Sequence, residues 1–309
     1  MNSITEIKEY AKRNSIPIVM DMGGEFISDY ILKNNCKKIL EIGSAIGYSA
    51  IHFAELAGDI FVRTIEIDID RYIRAVENIK SCGLEKRIEI TNEDALFAKI
   101  EEKFDLIFID AAKAQYEKFF EKFKANLSPN GAIITDNLFF HGMVEDPSLT
   151  HNYSTIKLVR KIRKFVSFLQ LNPEFKTTIH NVGDGVSVSK RNGEYAKPEF
   201  IPLEKSDKPN IWQEIEYGHK VYQVLENKKN TGLFSYYKKE DYFVIGLVEF
   251  YDCTRIEITL KNMLMLARKN AIKENIHLIK IKLPENCRSE GINESALIPQ
   301  GDGWYCHRL

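Results

Sequence analysis

Short apolar runs separated by amphipathic stretches organise the first 190 positions of the chain. Runs at 38–42, 61–66, 87–91, 104–109 and 131–135 have the length and composition of strands. Leu106-Ile107-Phe108-Ile109 is apolar without alternation, the pattern of a strand buried on both faces. Between the runs, Tyr72, Ala75, Val76 and Ile79 recur at helical spacing, as do Tyr116, Phe119, Phe120 and Phe123. These predict crossover helices packed on a parallel sheet. A long basic amphipathic helix is expected around 155–170, then strands at 175–180 and 186–190. Gly183-Asp184-Gly185 would join that pair as an antiparallel hairpin.

Residues 193–210 follow neither period. Pro198, Pro202 and Pro209 stand there among charged residues, which predicts a linker between a domain of residues 1–192 and a second of residues 211–309. In the second domain the pattern predicts a helix near 212–226, strands at 233–237 and 242–250, a helix near 258–273, and strands at 277–283 and 304–308. That is a small α+β arrangement, with no internal repeat or low-complexity tract.

Composition narrows the partners more than the fold. The 309 residues carry 43 Lys+Arg against 44 Asp+Glu, a net charge of -1, which excludes a broadly polycationic nucleic-acid binder but not a local basic patch. No apolar stretch approaches the ~20 residues of a membrane span. The first fifteen positions, MNSITEIKEYAKRNS, are charged throughout and lack the apolar core of an export signal, so a cytoplasmic protein is expected. The cysteines, Cys36, Cys82, Cys253, Cys287 and Cys306, are scattered and odd in number, and read as free thiols.

Candidate chemistry gathers where the apolar runs end. Ile39-Leu40-Glu41-Ile42-Gly43-Ser44-Ala45-Ile46-Gly47-Tyr48-Ser49 runs from a strand through a glycine-containing turn into a helix, so that backbone can approach a ligand closely. Several kinds of nucleotide site use such a turn. The next strand ends in Glu66, placed to accept both hydroxyls of a ribose. Asp94-Ala95 could line an adenine pocket, or Asp94 could simply cap a turn. Asp110 ends the fourth strand and Asp136-Asn137 the fifth; two carboxylates and an amide oxygen on neighbouring loops form a hard set suited to Mg²⁺. Helix capping is the alternative for each Asp alone. Lys113 lies three positions after Asp110, where a helical turn would bring its amine to the same face.

Together these motifs resemble the catechol-O-methyltransferase-like family (family 3) of S-adenosylmethionine-dependent O-methyltransferases, over residues 15–190. Ile16-Pro17-Ile18, the Glu41–Ser49 run, Glu66, Asp110-Ala111-Ala112-Lys113, Asp136-Asn137 with Gly142, and Gly183-Asp184-Gly185 carry the likeness. Glu93 departs from it, because the family usually has Gly before the Asp-Ala pair. The resemblance implies an α/β class I methyltransferase (Rossmann-like) sheet closed by an antiparallel hairpin. It implies that Met20, Glu41, Gly43, Ser44, Tyr48, Ser49, Glu66, Asp94, Ala95 and Asp110 surround S-adenosylmethionine. Asp110, Asp136 and Asn137 would hold Mg²⁺ or another divalent cation such as Mn²⁺, and Lys113 with Asp110 would serve the deprotonation. A homodimer is also implied.

Within the family the sequence is most similar to the bacterial branch that methylates 5-hydroxyuridine at the wobble position of tRNA, with small-phenol methyltransferases as relatives. A catechol has vicinal oxygens, and 5-hydroxyuridine has a hydroxyl beside a carbonyl, so either can chelate one metal ion. Lys157, Arg160, Lys161, Arg163 and Lys164 give the late helix a basic face that could track tRNA phosphates, with Lys8, Lys12 and Arg13 as an extension. A solvated helix surface is the alternative. His141, next to Phe139 and Phe140, could contact a flipped base or belong to a packed loop. Residues 211–309 resemble half of a GNAT-type acetyltransferase. They lack that family's glycine-rich turn before the long helix, since residues 255–260 contain no glycine. An RNA-docking, dimerisation or stabilising module is therefore expected there. The expected activity is O-methylation of tRNA 5-hydroxyuridine, with a small catechol as the other acceptor and a non-catalytic RNA-binding protein as the rival of another class.

Overall fold

Two helices precede the first strand in the computed structural model, which describes residues 3–19, 21–193, 195–284 and 297–309. Helix α1 (Ile4–Arg13) opens on a capping box in which Ser3 and Glu6 satisfy each other's backbone N–H groups. Helix α2 is Asp21–Lys33. Neither was read from the sequence, because their apolar stripes lie between charged residues and precede the first strong strand signal.

The strands β1 (Lys38–Ile42), β2 (Phe61–Glu66), β3 (Ile88–Asn92), β4 (Phe104–Ile109), β5 (Leu127–Thr135), β6 (Phe175–His180) and β7 (Val186–Arg191) form one sheet in the order β3-β2-β1-β4-β5-β7-β6. The first five run parallel, and β7 lies antiparallel to β5. Helices α3 (Tyr48–Glu55), α4 (Ile69–Ser81), α5 (Tyr116–Phe123) and α6 (Tyr153–Leu171) connect them. Leu106 to Ile109 are all fully buried, as their unbroken apolar run predicts. Ile39, Leu106 and Phe108 pack with Ile27, Ile31, Ala50 and Phe53 into one core.

The second sheet contains β8 (Glu199–Pro202), β9 (Lys220–Glu226), β10 (Lys229–Lys239), β11 (Tyr242–Phe250), β12 (Leu278–Lys282), β13 (Ile298–Gly301) and β14 (Trp304–Arg308), in the order β13-β14-β12-β11-β10-β9-β8. Helix α7 (Pro209–Glu216) precedes β9. Helix α8 (Ile256–Lys273) is the crossover that makes β11 and β12 parallel. The chain divides into two compact units, but not at one point. Residues up to Phe165 with Thr177–Arg191 form the first, and Val166–Lys176 with Asn192–Leu309 the second.

Two sequence expectations are corrected here. The helix expected over 212–226 stops at Glu216, because Gly218 adopts φ 77° and ends it. Lys220–Glu226 is instead a strand, with Val221 and Val224 buried. The stretch read as linker, 193–210, carries β8 at the edge of the second sheet. There Pro202 costs no ladder bond on its solvent side, and Phe200 packs edge-on against Tyr222 and Phe234. No helix among the described residues is long and apolar enough to cross a membrane.

Candidate active site

Strand β1 lies between β2 and β4, so the chain leaves it in opposite directions and a crevice opens beyond the carboxyl ends, where open α/β sheets bind ligands. Register fixes what lines it. Ile42 pairs with both Ile65 and Ile109, and Ile109 pairs with Thr135. The residues that follow, Gly43, Glu66, Asp110 and Asp136, therefore emerge side by side. Gly43, Glu66 and Asp110 border a cavity of about 410 Å³ whose walls also include Ile18, Ser44, Ala45, Ser49, Ile67, Asp68, Arg71, Asp94, Ala95, Ala111 to Lys113 and Gln115, whereas Asp136 and Asn137 stand outside that lining.

At one end of the crevice the backbone is drawn in tightly. Gly43 has φ 94°, and a Cβ there would lie 2.4 Å from the carbonyl oxygen of Asp110, so only glycine fits. Gly47, at φ 81°, starts α3 close against Ala75. Glu66 is buried, and its carboxylate is held from two sides: Oε2 accepts from the Ala45 N–H at 2.8 Å and Oε1 from the Asp68 N–H at 2.9 Å. Lone pairs on both oxygens stay available to hydroxyl donors. Asp94 lines the cavity, and its Oδ1 accepts from the Leu96 N–H at 2.8 Å, as a turn cap does.

Not every expected cofactor residue lines this cavity. Glu41 lies beneath it, fully buried, with Thr64 Oγ1 donating to its Oε2 at 2.5 Å. Burial pushes the Glu41 carboxyl up to about 7, against the lowering effect of the Ser49 and Thr64 hydroxyls. Tyr48 stacks on His52 one helical turn away, outside the cavity lining. Met20 lies outside the described residues. Arg71 and Gln115 were missed, although Asp68 caps α4 and thereby turns the first helical turn, with Arg71, toward the crevice.

The other end brings two carboxylates, Asp110 and Asp136, within reach of each other's charge. Asp110 is pushed up by burial, partly offset by Lys113. Asp136 is 2% exposed and pushed up to about 7, first by burial and then by the charge of Asp110. Its Oδ1 accepts from the Asn137 N–H at 2.7 Å, but Oδ2 has no hydrogen-bond partner among the described residues. Asn137 sits in the left-handed region at φ 63°, and the Tyr116 hydroxyl donates to the Asp136 carbonyl oxygen at 3.1 Å. Lys113 Nζ stands 6.0 Å from the Tyr116 ring and 5.9 Å from the Phe140 ring.

The hairpin turn adds a residue whose role the sequence did not disclose. Asp184, 7% exposed, accepts the His141 N–H on Oδ1 at 2.6 Å, and its Oδ2 lies 3.8 Å from His141 Nδ1. The loop with Phe140 and His141 at positive φ is thereby pinned, and the His141 side chain is exposed.

Among the described residues no three His, Cys, Asp or Glu side chains cluster to hold a metal. The set here has two carboxylates and an amide. An unpaired buried carboxylate oxygen beside a second carboxylate is nevertheless an arrangement that a divalent cation would satisfy, through hard oxygen donors.

The order of the first sheet and the glycine turn facing an acidic strand end define an S-adenosylmethionine-dependent methyltransferase of the class I type. The particular family follows from comparison. The profile of the O-methyltransferase family matches residues 2–192, and the chain belongs to that family. A catechol O-methyltransferase of Niastella koreensis is 32% identical over 163 residues, covering 50% of this chain and 72% of that one. A Staphylococcus aureus structure provisionally assigned as a caffeoyl-CoA O-methyltransferase is 36% identical, with TM-score 0.60, covering 62% of this chain and 93% of that one. The O-methyltransferase of Bacillus cereus, in complex with S-adenosylhomocysteine, is 27% identical with TM-score 0.54, covering 61% and 90%.

Proposed function

We propose that the protein methylates a hydroxyl oxygen standing beside a second oxygen, and that the acceptor is 5-hydroxyuridine at the wobble position of tRNA, giving 5-methoxyuridine. The observation that carries this reading is the unpaired, buried Oδ2 of Asp136, which feels the charge of the cavity-lining Asp110. Asp110, Asp136 and Asn137 would hold Mg²⁺ or Mn²⁺. A divalent cation, when bound, supplies Lewis acidity that favours the ionised acceptor oxygen.

The chain's own residues do the remainder. Glu66, fixed by Ala45 and Asp68, accepts the ribose hydroxyls of the cofactor, and Gly43 leaves room for its approach. Lys113 Nζ, in its uncharged amine form, takes the proton of the acceptor hydroxyl and becomes an ammonium. Phe140, close to Lys113, walls the place of the acceptor ring and helps to exclude water. Orientation of the two reactants accounts for most of the rate.

The choice of a tRNA acceptor rests on the resemblance of the motifs and on the cationic face of α6. The Niastella relative supports a small catechol as the second reading. We read residues 211–309 as an accessory module; the approach to α8 has no glycine between 251 and 260, which argues against a pyrophosphate cradle there. The test is to incubate protein, labelled S-adenosylmethionine and Mg²⁺ with bulk tRNA or with a catechol panel. Label recovered as 5-methoxyuridine is expected. Label confined to catechols would overturn the RNA acceptor, and label in neither pool would leave a binding protein without turnover.

A further inference from the structure

Residues of α6 form a second concavity, of about 400 Å³, outside the reaction cavity. Lys157, Arg160, Lys161 and Lys164 line it together with Ser154 and Ala114, and no acidic residue stands among its lining. The four cations follow the spacing i, i+3, i+4, i+7, so they share one helix face that runs about 10 Å along the axis. The opposite face, with Val159, Ile162 and Phe165, is buried. In a chain whose net charge is -1, that concentration is local. Arg163 does not belong to it, because its guanidinium is spent on the carbonyl oxygens of Val144 and Glu145.

Two further observations specify the occupant. The groove and the reaction cavity share one short turn: Lys113 and Gln115 line the cavity, and Ala114 between them lines the groove. Whatever lies in the groove therefore passes beside the acceptor site. In addition, the Tyr153 ring is 69% exposed, with Lys157 Nζ 4.2 Å from its centroid. An exposed ring beside a row of cations suits a single strand, whose phosphates follow the charge and whose bases stack.

We propose that the α6 groove binds the phosphodiester backbone of an RNA acceptor and guides one base into the reaction cavity. The inference rests on the reading of the acceptor as RNA. A free catechol has no use for such a groove. A coenzyme A thioester also carries phosphates, and it is treated as an outcome of the test.

The test reverses charge at two exposed positions, Arg160→Glu with Lys161→Glu, in the full chain. Binding of an anticodon stem–loop RNA is measured from 50 to 300 mM salt. Methylation of tRNA and of caffeoyl-CoA is followed separately. Expected are an RNA affinity at least tenfold weaker and a salt slope shallower by about 2, one for each lost phosphate contact. The KM for tRNA should rise while kcat stays within about twofold. Arg160→Lys with Lys161→Arg should restore binding, and unchanged S-adenosylhomocysteine affinity and Tm would exclude misfolding. Equal RNA binding by wild type and the reversed variant, or none by wild type at 50 mM salt, overturns the groove. A raised KM for caffeoyl-CoA with RNA binding unmoved overturns it in favour of coenzyme A phosphates. If wild type binds RNA through the groove but methylates no tRNA, the groove stands and the wobble-uridine reading fails.

Discussion

Glu66 and Asp136 are both buried carboxylates at the carboxyl edge of one sheet, and the fold treats them in opposite ways. Glu66 receives a backbone N–H on each oxygen, whereas Asp136 receives one and keeps its second oxygen unpartnered against the charge of Asp110. The first arrangement is complete before any ligand arrives and presents a fixed acceptor to hydroxyl groups. The second is unfinished, because two carboxylates in one recess raise each other's energy until a cation or a proton intervenes. The comparison teaches that a carboxylate already satisfied by backbone donors and one that still requires a countercharge can stand a few strands apart at one edge of a sheet.

The largest effect that can break this contrast is at the unfinished end. Asp136→Ala should lower methyl transfer to any acceptor by about 10³-fold or more, the scale of losing charge stabilisation worth several kcal/mol. S-adenosylhomocysteine affinity, read by calorimetry, should change by no more than about threefold, which is under 1 kcal/mol. Full turnover of the variant in Mg²⁺-containing buffer would sink the assignment.

Next in size is the finished end. Glu66→Ala removes the acceptor of the ribose hydroxyls; with water taking its place, a net loss of about 1.5–3 kcal/mol, the worth of one hydrogen bond to a charged group, should weaken cofactor affinity by roughly 10- to 100-fold. The KM for the acceptor should hardly move. A variant in which the two constants rise together would mean that the two ends are not separable, and the contrast would have to be given up.

The sequence displayed these ends unequally. Apolar runs carry these strands to their carboxyl ends, so Gly43, Glu66, Asp110 and Asp136 announce themselves where the runs stop. Glu41 interrupts its run earlier, and the two-residue period of a strand sends its side chain under the crevice, not into it. Tyr48 stood in the right segment but on the wrong helix face. The pinning of His141 by Asp184 joins residues 43 positions apart, and local pattern carries no signal of that separation. In the second unit, the helix expected over 212–226 runs into Gly218, which ends it, and the β-branched residues at 221 and 224 favour the strand that follows.

Glu41 sharpens the comparison at a smaller scale, as an acid with hydroxyl partners and no ligand. Its folded value of about 7 lies above that of an unfolded glutamate, so the neutral form is favoured in the native state. The stability this contributes is fully present below the unfolded value, near 4.5, and is lost as pH rises through about 7. Glu41→Gln keeps a neutral group in place at every pH. It should therefore raise Tm relative to wild type at pH 8 to 9 and leave it nearly unchanged at pH 5, with at most about 3 kcal/mol at stake. Thermal melts across that range decide it. A pH-independent difference would show that Glu41 is ionised when folded.

The smallest expected effect separates the two parts assigned to Asp94. Its Oδ1 accepts the Leu96 N–H, while Phe97 and Ala98 donate to its backbone carbonyl, so the side chain secures a turn whatever else it does. Asp94→Ala should cost about 1 kcal/mol of stability, as loss of a capping oxygen does, and Tm should fall by a few degrees. Asp94→Asn keeps an oxygen for Leu96 and replaces the other by an amide. If that other oxygen accepts from the exocyclic amine of adenine, donor would then face donor. Cofactor affinity should weaken by about three- to tenfold, with Tm unmoved. Unchanged affinity in the Asn variant, with the expected Tm loss in the Ala variant, would reduce Asp94 to a turn residue and confine recognition at this end of the crevice to Glu66 and the glycine turn.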